Sequence, residues 1–538
     1  MPALSAITAH PGSWSGLLAR EDITPEDGML HLIHETVTPH QARVDDLLFV
    51  SSALESAGIE VWLLRTDPGV PALAVDLGSR DLVSDALAQL CTQHPVYVKA
   101  KRARPQLASD LPPLPDEPVA LRVFRPRITP GGTLRYGARQ AVRLEFWRFG
   151  DDIVEAPADN VLMRRMTPRA DLRPAAIERY GRSWRTIEGM FTPLPHEFTH
   201  DVDLVFSWVD GSSSEFQRQR AARMSGHVVG EGDDSPARYR HVDELRYALR
   251  STHMYAPWVR RIFIATDSPA PAWLLDHPKV TLVRSEEFFA DPTVLPTHNS
   301  HAVEAQLHRI PGLAEHFLYA NDDMFFGRPV EPELFFTAAG VTKFVESEVR
   351  IGPGARRPHR SGHDNALRLN RDLLQERFGR MIVRDLEHCA TPLRRSIMAE
   401  LEREFPEDFA RTAASRFRSA TDISVTNSLY HYYALMTGRA VATRRPRTRY
   451  IHTTLAASLR RVERMVEGHD LDMFCLNDGA ETEVPEDLRA AVVTDTLAKL
   501  FPILPPWERP DTTLRPIEPG FSAPASAALS EGRQPIVS

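Results

Sequence analysis

The sequence is poor in cysteine and lacks long apolar runs. Only three cysteines occur in 538 residues, Cys91, Cys389 and Cys475, which is too few for a disulfide framework and favours a reducing compartment. No apolar run approaches the roughly 18 residues of a membrane-spanning helix, and the N-terminus lacks a basic stretch followed by an apolar one. We therefore expect no membrane span and a cytoplasmic location, with the inner face of the membrane as a second option.

Lysine is scarce as well, and charge is unevenly distributed. Five of the 64 basic residues are lysine, and residues 341–460 hold 22 Lys and Arg against 13 Asp and Glu within a chain of net charge −8. A basic segment in an acidic chain suits a phosphorylated ligand bound with a metal. Arginine binds phosphate better than lysine does, because its guanidinium group can donate two parallel hydrogen bonds. Genome base composition is the alternative reason for the arginine bias. We expect no nucleic-acid partner.

Composition shifts divide the chain into four predicted segments. Residues 1–118 predict an N-terminal α+β accessory region. Residues 119–200 alternate in β fashion around Pro130-Gly131-Gly132, which predicts a β-rich spacer and connector. Residues 201–500 are predicted to form the main domain, which the family resemblance described below implies is the catalytic domain. Residues 501–538 are rich in Pro, Ser and Ala, which predicts a disordered tail.

Strands and helices alternate between residues 201 and 326. Four apolar runs predict strands, and one of the intervening helices is predicted to open at Ser235-Pro236. The runs are 203–208, 259–265, 279–283 and 317–320. Continuous apolar character indicates burial on both faces, and the β-α-β order is typical of a doubly wound, mainly parallel sheet. We therefore predict an α/β fold.

Three of these strands stop at acidic residues: Asp210, Asp267, and Asp322 with Asp323. Ligands of open α/β sheets bind at the carboxyl ends of strands. If the strands are neighbours, the carboxylates predict a site for a cation or a donor group. A strand cap is the alternative for each of them.

A helix predicted from 299 to 309 precedes the last strand. At about 100° per residue, one arc of this helix is apolar and the other polar. The apolar arc holds Val303, Leu307 and Ile310, and the polar arc holds His301, Glu304 and His308. The polar arc is predicted to face a cleft, with a solvated helix face as the alternative.

Four stretches in order resemble the Stealth family of sugar-phosphate transferases, over about residues 201–480. They are Asp203–Gly211, Arg238 through Asn321-Asp322-Asp323, His388 to about Tyr433 with Arg416 and Arg418, and Cys475-Leu476-Asn477-Asp478. The family, which is related to the lysosomal-enzyme N-acetylglucosamine phosphotransferase, implies transfer of a hexose 1-phosphate, often of an N-acetylhexosamine. The implied donor is a nucleotide sugar and the implied acceptor is a hydroxyl on a capsular or other exopolysaccharide.

The resemblance yields a mechanistic hypothesis. The acceptor hydroxyl attacks the phosphorus next to the sugar of a UDP-sugar, and UMP leaves. His388 is the predicted general base with Asp323 as competitor, and Asp322 and Glu304 are predicted to hold Mg²⁺ or Mn²⁺. The remaining predicted substrate-binding residues are Trp208, Asp210, Gly211, Asn321, Arg416, Arg418, Asn477 and Asp478. For Trp208 the alternative is a core position, and for Asn477-Asp478 it is an Asx turn.

Two other functions fit parts of the pattern. A metal-dependent glycosyltransferase would use the same donor but release UDP, and a non-catalytic carbohydrate- or anion-binding module would turn over no donor. The expected partners are a nucleotide sugar and a glycan acceptor, with peripheral association with a polysaccharide assembly complex as a further expectation.

Overall fold

The computed structural model describes residues 14–66, 70–211, 213–224, 242–478 and 482–510. The helix start predicted at Ser235-Pro236, residues 238–241 at the start of the second matching stretch, and most of the predicted tail lie outside the described residues. None of the described helices is both long and apolar enough to cross a membrane.

An N-terminal unit occupies residues 14–190. Its helices are α1 (Ser15–Leu18), α2 (Pro39–Ser56) and α3 (Arg80–Leu90). Its strands are β1 (Ile23–Glu26), β2 (Met29–Ile33), β3 (Trp62–Arg65), β4 (Pro71–Asp76), β5 (Tyr97–Lys99), β6 (Gln106–Leu107), β7 (Val119–Phe124), β8 (Arg127–Ile128), β9 (Arg135–Tyr136), β10 (Val142–Phe149), β11 (Ile153–Glu155), β12 (Met166–Pro168), β13 (Pro174–Arg179) and β14 (Arg182–Ile187). Helix α2 begins with a capping box, in which Thr38 and Gln41 satisfy each other's backbone N–H groups.

One sheet crosses the predicted boundary between residues 118 and 119. Strand β7 pairs with β10 as an antiparallel ladder, as the alternation predicted, but it also pairs with β5, and β10 pairs with β4. The predicted segments 1–118 and 119–200 are therefore one structural unit. The Pro-rich stretch between β6 and β7 has the composition of a linker, although both strands belong to the same sheet.

The second unit is built on a five-stranded sheet. Its strands are β15 (Val202–Ser207), β16 (Ile262–Ala265), β17 (Val280–Val283), β18 (His316–Asn321) and β23 (Thr391–Arg394). They lie in the order β17-β16-β15-β18-β23, with the first four parallel and β23 antiparallel. The α/β class and the mainly parallel sheet agree with the prediction.

Smaller elements surround this sheet. The helices are α4 (Ser214–Met224), α5 (Glu244–Tyr255), α6 (Ser285–Phe288), α7 (Ser300–Glu304), α8 (Gly362–Phe378), α9 (Arg395–Glu404), α10 (Pro406–Ala414), α11 (Tyr430–Met436), α12 (Ala456–Gly468) and α13 (Glu486–Leu500). The further strands are β19 (Met324–Phe326), β20 (Thr342–Phe344), β21 (Glu346–Arg350), β22 (Arg384–Leu386), β24 (Ala440–Ala442), β25 (Thr448–His452) and β26 (Met473–Asn477).

Alternate residues of the central strands enter two separate cores. Leu204 and Leu318 pack into a cluster with Leu245 and Leu249 of α5. Val205 and Phe317 point to the other face, into a cluster that includes residues of α8, α9 and α11. This alternation is the period-two pattern of a strand, and it explains why the sequence runs are continuously apolar.

The core extends beyond the end predicted for the catalytic domain at residue 500. Phe501, Ile503 and Trp507 are buried. The buried Glu508 carboxylate accepts hydrogen bonds from Arg246 and from Arg250, in the latter case at 2.8 and 2.6 Å. The prediction that the disordered tail begins at residue 501 is therefore wrong for residues 501–510, because aromatic side chains among the prolines pack against α5.

Candidate active site

The strands that end in acidic residues are neighbours. Strand β15 lies between β16 and β18, with Ser207 opposite both Ala265 and Asn321. The residues that follow the three strands, Asp210, Asp267 and Asp322, therefore lie along one sheet edge. Asp267 takes the role of a cap there, because its carboxylate accepts hydrogen bonds from the Ser285 N–H at 2.8 Å and the Ser285 hydroxyl at 2.7 Å.

A second sheet brings the two Asn-Asp motifs of the sequence together. Strand β19 pairs antiparallel with β26, placing Met324 opposite Cys475, and Leu476 N–H donates to the Asp323 carbonyl at 3.0 Å. The Cys475 thiol and the Asn477 amide each donate to Asp323 Oδ2 at 3.3 Å. Oδ1 of Asp323 is buried and accepts no hydrogen bond from a described residue. One carboxylate oxygen is thus held in place while the other is available.

His388 joins Asp323 and Cys475. One ligand atom from each of the three side chains lies within 4.8 Å of the other two. Among the described residues this is the group whose spacing can hold a divalent cation. The His388 ring meets the Tyr450 ring edge-on, with centroids 5.5 Å apart.

The surroundings of His388 favour its neutral form. Desolvation of the ring lowers the pKa of His388, with the positive charges of His363 and Arg418 acting in the same direction, whereas Asp323 and Asp385 raise it. His363 itself lies 2.8 Å from Asp385. A neutral imidazole can accept a proton. No sequence motif predicted a role for His363, Asp385 or Tyr450, although Asp385 lies only three residues before His388.

Of the two arginines predicted to bind substrate, Arg418 is the one whose charge acts on His388. Arg418 Nη2 donates to Ser300 Oγ at 2.8 Å, and its stem packs so closely on Gly362 that a Cβ there would lie 2.6 Å from the Arg418 Cβ. Arg416 is exposed. Residues at i and i+2 point the same way only in an extended segment, and the structure has bends at 416–417 rather than a strand.

Glu304 does not fit its predicted role as a metal ligand beside Asp322. It is buried, its Oε2 accepts from the Thr426 hydroxyl at 2.7 Å, and its Oε1 lies 3.3 Å from the Tyr319 hydroxyl. Burial raises the pKa of Glu304, partly offset by the Thr426 hydrogen bond. A carboxyl group with both oxygens engaged and its charged form disfavoured is a poor ligand for a hard dication.

The polar arc predicted to face a cleft is inside the protein. His301, Glu304 and His308 are all buried. The predicted helix is also shorter, since α7 ends at Glu304 and a single 3₁₀ turn covers Leu307–Arg309. Helix α10 packs against α7, and α9 packs against the 3₁₀ turn, so the side opposite the sheet is covered too.

The remaining predicted binding residues fall into two groups. Asn321 and Asn477 border the cluster: Asn321 Oδ1 accepts from the Tyr319 hydroxyl at 2.9 Å, and Asn477 contacts Asp323. Trp208 is 4% exposed and belongs to the hydrophobic core, which was the alternative given for it. Gly211, three residues further along the chain, is also buried. Asp478 forms a buried ion pair with Arg489, with 3.3 Å between Oδ2 and Nη2.

The fold and the cluster together define an α/β protein with a candidate active site at the carboxyl edge of its main sheet. Comparison with known proteins identifies the family. Models of four conserved regions of Stealth proteins match this chain in order: region 1 at residues 200–228, region 2 at 238–344, region 3 at 387–435 and region 4 at 464–517.

Full-length relatives agree with these matches. The exopolysaccharide phosphotransferase CpsY of Mycobacterium leprae is 49% identical over 521 residues, covering 95% of each chain, and that of Mycobacterium tuberculosis H37Rv is 50% identical over 517 residues, covering 95% and 96%. The chain belongs to the Stealth family and is a phosphotransferase. Since these matches span nearly the whole chain, the N-terminal unit is shared with the relatives as well.

A solved structure of the galactosyltransferase LgtC, with donor and acceptor sugar analogs, is a distant match. It covers 55% of this chain and 94% of that one, at 11% sequence identity and a TM-score of 0.30. Nothing about the site follows from a similarity at this level.

Proposed function

We propose that this protein transfers a hexose 1-phosphate, in particular that of an N-acetylhexosamine, from a UDP-sugar to a hydroxyl group of an exopolysaccharide and releases UMP. The observation that carries the proposal is the convergence of His388, Asp323 and Arg418 at the carboxyl edge of the sheet. The relatives' names, exopolysaccharide phosphotransferase, support the acceptor class.

The reaction requires one proton transfer and one substitution at phosphorus. His388 accepts the proton of the acceptor hydroxyl as the oxygen forms a bond to the phosphorus next to the sugar. The bond between that phosphorus and the UMP oxygen breaks, and UMP leaves with the electron pair. Desolvation of the His388 ring lowers its pKa, which supports a base that is neutral at physiological pH. Asp323 remains the competing base, since its Oδ1 accepts no hydrogen bond from a described residue.

Arg418 is the candidate for charge stabilisation. Phosphoryl transfer depends mainly on positioning and on neutralising the charge of the phosphoryl oxygens. Arg418 is fixed by Ser300 and by its packing on Gly362, and its positive charge acts on both His388 and Glu304. A guanidinium held by the protein before the donor binds loses less freedom on contacting the phosphates. Asn321 and Asn477 are proposed to contact the donor at the rim of the cluster.

A divalent ion remains part of the proposal. A bare carboxylate repels a diphosphate charge by about 4 kcal/mol at ~4 Å and an effective dielectric near 20, and Mg²⁺ or Mn²⁺ would offset this repulsion. Such ions are held by one or two carboxylates together with substrate phosphates. Asp322, whose charge also acts on Cys475, is the proposed protein ligand, and Glu304 is not.

The competing reaction is glycosyl transfer. It uses the same donor but breaks the bond at the anomeric carbon, so it releases UDP and leaves no phosphorus in the product. Incubating the protein with a panel of UDP-sugars and an exopolysaccharide acceptor, and identifying the released nucleotide, distinguishes the two. UMP together with a phosphodiester ³¹P signal in the polymer supports the proposal, and UDP overturns it.

The proposed cellular location is the cytoplasm. All three cysteines are unpaired and buried, which supports a reducing compartment and hence the cytoplasm. A peripheral association with a polysaccharide assembly complex at the inner face of the membrane would bring the enzyme to its acceptor. Fractionation of cells that express a tagged full chain tests both statements.

A further inference from the structure

The Asp323–His388–Cys475 cluster has the donor atoms of a thiophilic metal site. We propose that it binds Zn²⁺ or a similar borderline ion through one carboxylate oxygen, one imidazole nitrogen and the Cys475 sulfur, and that this ion inhibits the enzyme. The binding stands on the geometry alone, whereas the inhibition rests on the proposed role of His388 as base.

The chemistry of the three ligands excludes the hard ions as the best occupant. Mg²⁺ and Mn²⁺ prefer all-oxygen surroundings, whereas thiolate and imidazole favour Zn²⁺ and its neighbours in the first transition row. Protein zinc sites combine Cys, His and carboxylate ligands in tetrahedral geometry. The proposed occupant therefore differs in kind from the Mg²⁺ or Mn²⁺ assigned to Asp322 and the donor phosphates.

The spacing is close to what a tetrahedral ion needs. Zinc lies about 2.3 Å from sulfur and about 2.0–2.1 Å from nitrogen or oxygen, which puts its ligand atoms about 3.4–3.6 Å apart. Cys475 Sγ and Asp323 Oδ2 are 3.3 Å apart, and all three ligand atoms lie within 4.8 Å of one another. Small side-chain adjustments suffice to close the site.

The protein holds two of the ligands firmly. Asp323 and Cys475 are fixed by the pairing of β19 with β26 and by the hydrogen bond from Leu476 N–H to the Asp323 carbonyl. The Asn477 amide donates a hydrogen bond to Asp323 Oδ2. Hydrogen-bond partners of this kind, which are not ligands themselves, orient the residues that bind a metal. On binding, the thiol that now donates to Asp323 gives its proton to solvent, and the thiolate coordinates the ion.

Occupancy and base catalysis exclude each other. The imidazole nitrogen that would take the acceptor proton has one lone pair, and a bound ion uses it. The fourth tetrahedral position is left to water or to a ligand. Zinc at this site therefore inhibits by removing the base, and excess Mg²⁺ reverses the inhibition poorly, since it does not favour these ligands.

Co²⁺ added to the metal-free full-length protein is the direct probe. We expect one equivalent to give a near-ultraviolet sulfur-to-cobalt charge-transfer band, which Zn²⁺ abolishes. Cys475→Ser should lose the band. If the serine variant does not fold, Cys475→Ala is used in its place and should lose the band as well. Two matched controls, Cys389→Ser and Cys91→Ser, also remove buried thiols and should keep it. No band in the wild type, or a band that survives loss of the Cys475 thiol, overturns the site.

Inhibition is measured in a separate experiment, so that metal binding and inhibition by the bound metal are tested independently. Low Zn²⁺ should stop nucleotide release by the wild type in the presence of excess Mg²⁺, and the Cys475 variant should tolerate higher Zn²⁺. If the cobalt band is present and Zn²⁺ leaves turnover unchanged, the inhibitory role is wrong. If the band is present but the released nucleotide is UDP, the proposed function fails while the metal site stands.

Discussion

Met324 and Cys475 face each other across the antiparallel strands β19 and β26. This pairing joins the residues after β18 to those at the end of β26 and lets Asn477 and Cys475 share the same oxygen of Asp323. The conformation of Asp323 is therefore set by a block of sequence far downstream. Any change that weakens the pairing of β19 with β26 should disturb His388 and the carboxylate together.

Replacing His388 tests the proposed base directly. His388→Gln keeps a polar side chain of similar reach but cannot take up a proton, so turnover should fall by roughly 10²–10⁴. His359→Gln is the matched control, since His359 is an exposed histidine of the same unit and should not alter turnover. Initial rates of UMP release measure both. Wild-type rates for His388→Gln would remove it from the mechanism.

The pH profile separates His388 from its competitor Asp323. Because desolvation lowers the pKa of His388, kcat/KM should stay constant on acidification until the pH is below about 6.5, the ordinary histidine value, and fall only there. The negative charge of Asp323 raises the pKa of His388, so Asp323→Asn should move the acidic limb to still lower pH. An Asp323→Asn variant without turnover at any pH would instead assign the base to Asp323.

The sequence predicted what is encoded locally and missed what depends on distant packing. The strands of the central sheet and their acidic ends follow from short apolar runs that stop at polar residues. The burial of Glu304 could not be read from helical periodicity, because its partner Thr426 lies far along the chain. Asp478 resembled a ligand for the same reason: its partner Arg489 lies on α13, outside the motif. The pairing that supports Asp323 likewise links two separate blocks.

Glu304 is expected to be structural. Glu304→Gln keeps an oxygen to accept from the Thr426 hydroxyl and a group to contact Tyr319, so thermal stability and the Mg²⁺ concentration for half-maximal activity should match the wild type. Glu304→Ala leaves both hydroxyls without this partner and should cost about 1–3 kcal/mol. Thermal denaturation and a metal titration measure the two effects. A stable Glu304→Gln protein with a much higher Mg²⁺ requirement would restore the metal role.

The ion pair between Asp478 and Arg489 should stabilise the folded protein and make no contribution to donor binding. The side chains are only 4% and 6% exposed, and breaking a buried pair leaves an uncompensated charge that costs about 3–5 kcal/mol. Arg489→Met should therefore destabilise strongly, and adding Asp478→Asn should recover part of the loss. Lys499→Met is the matched control on the same helix, because its pair with Asp495 is 47% and 61% exposed, and exposed pairs contribute about 0–1 kcal/mol. Urea unfolding gives the free energies. Asp478→Asn should keep the wild-type KM for the donor, and a large rise in that KM at unchanged stability would return Asp478 to the donor pocket.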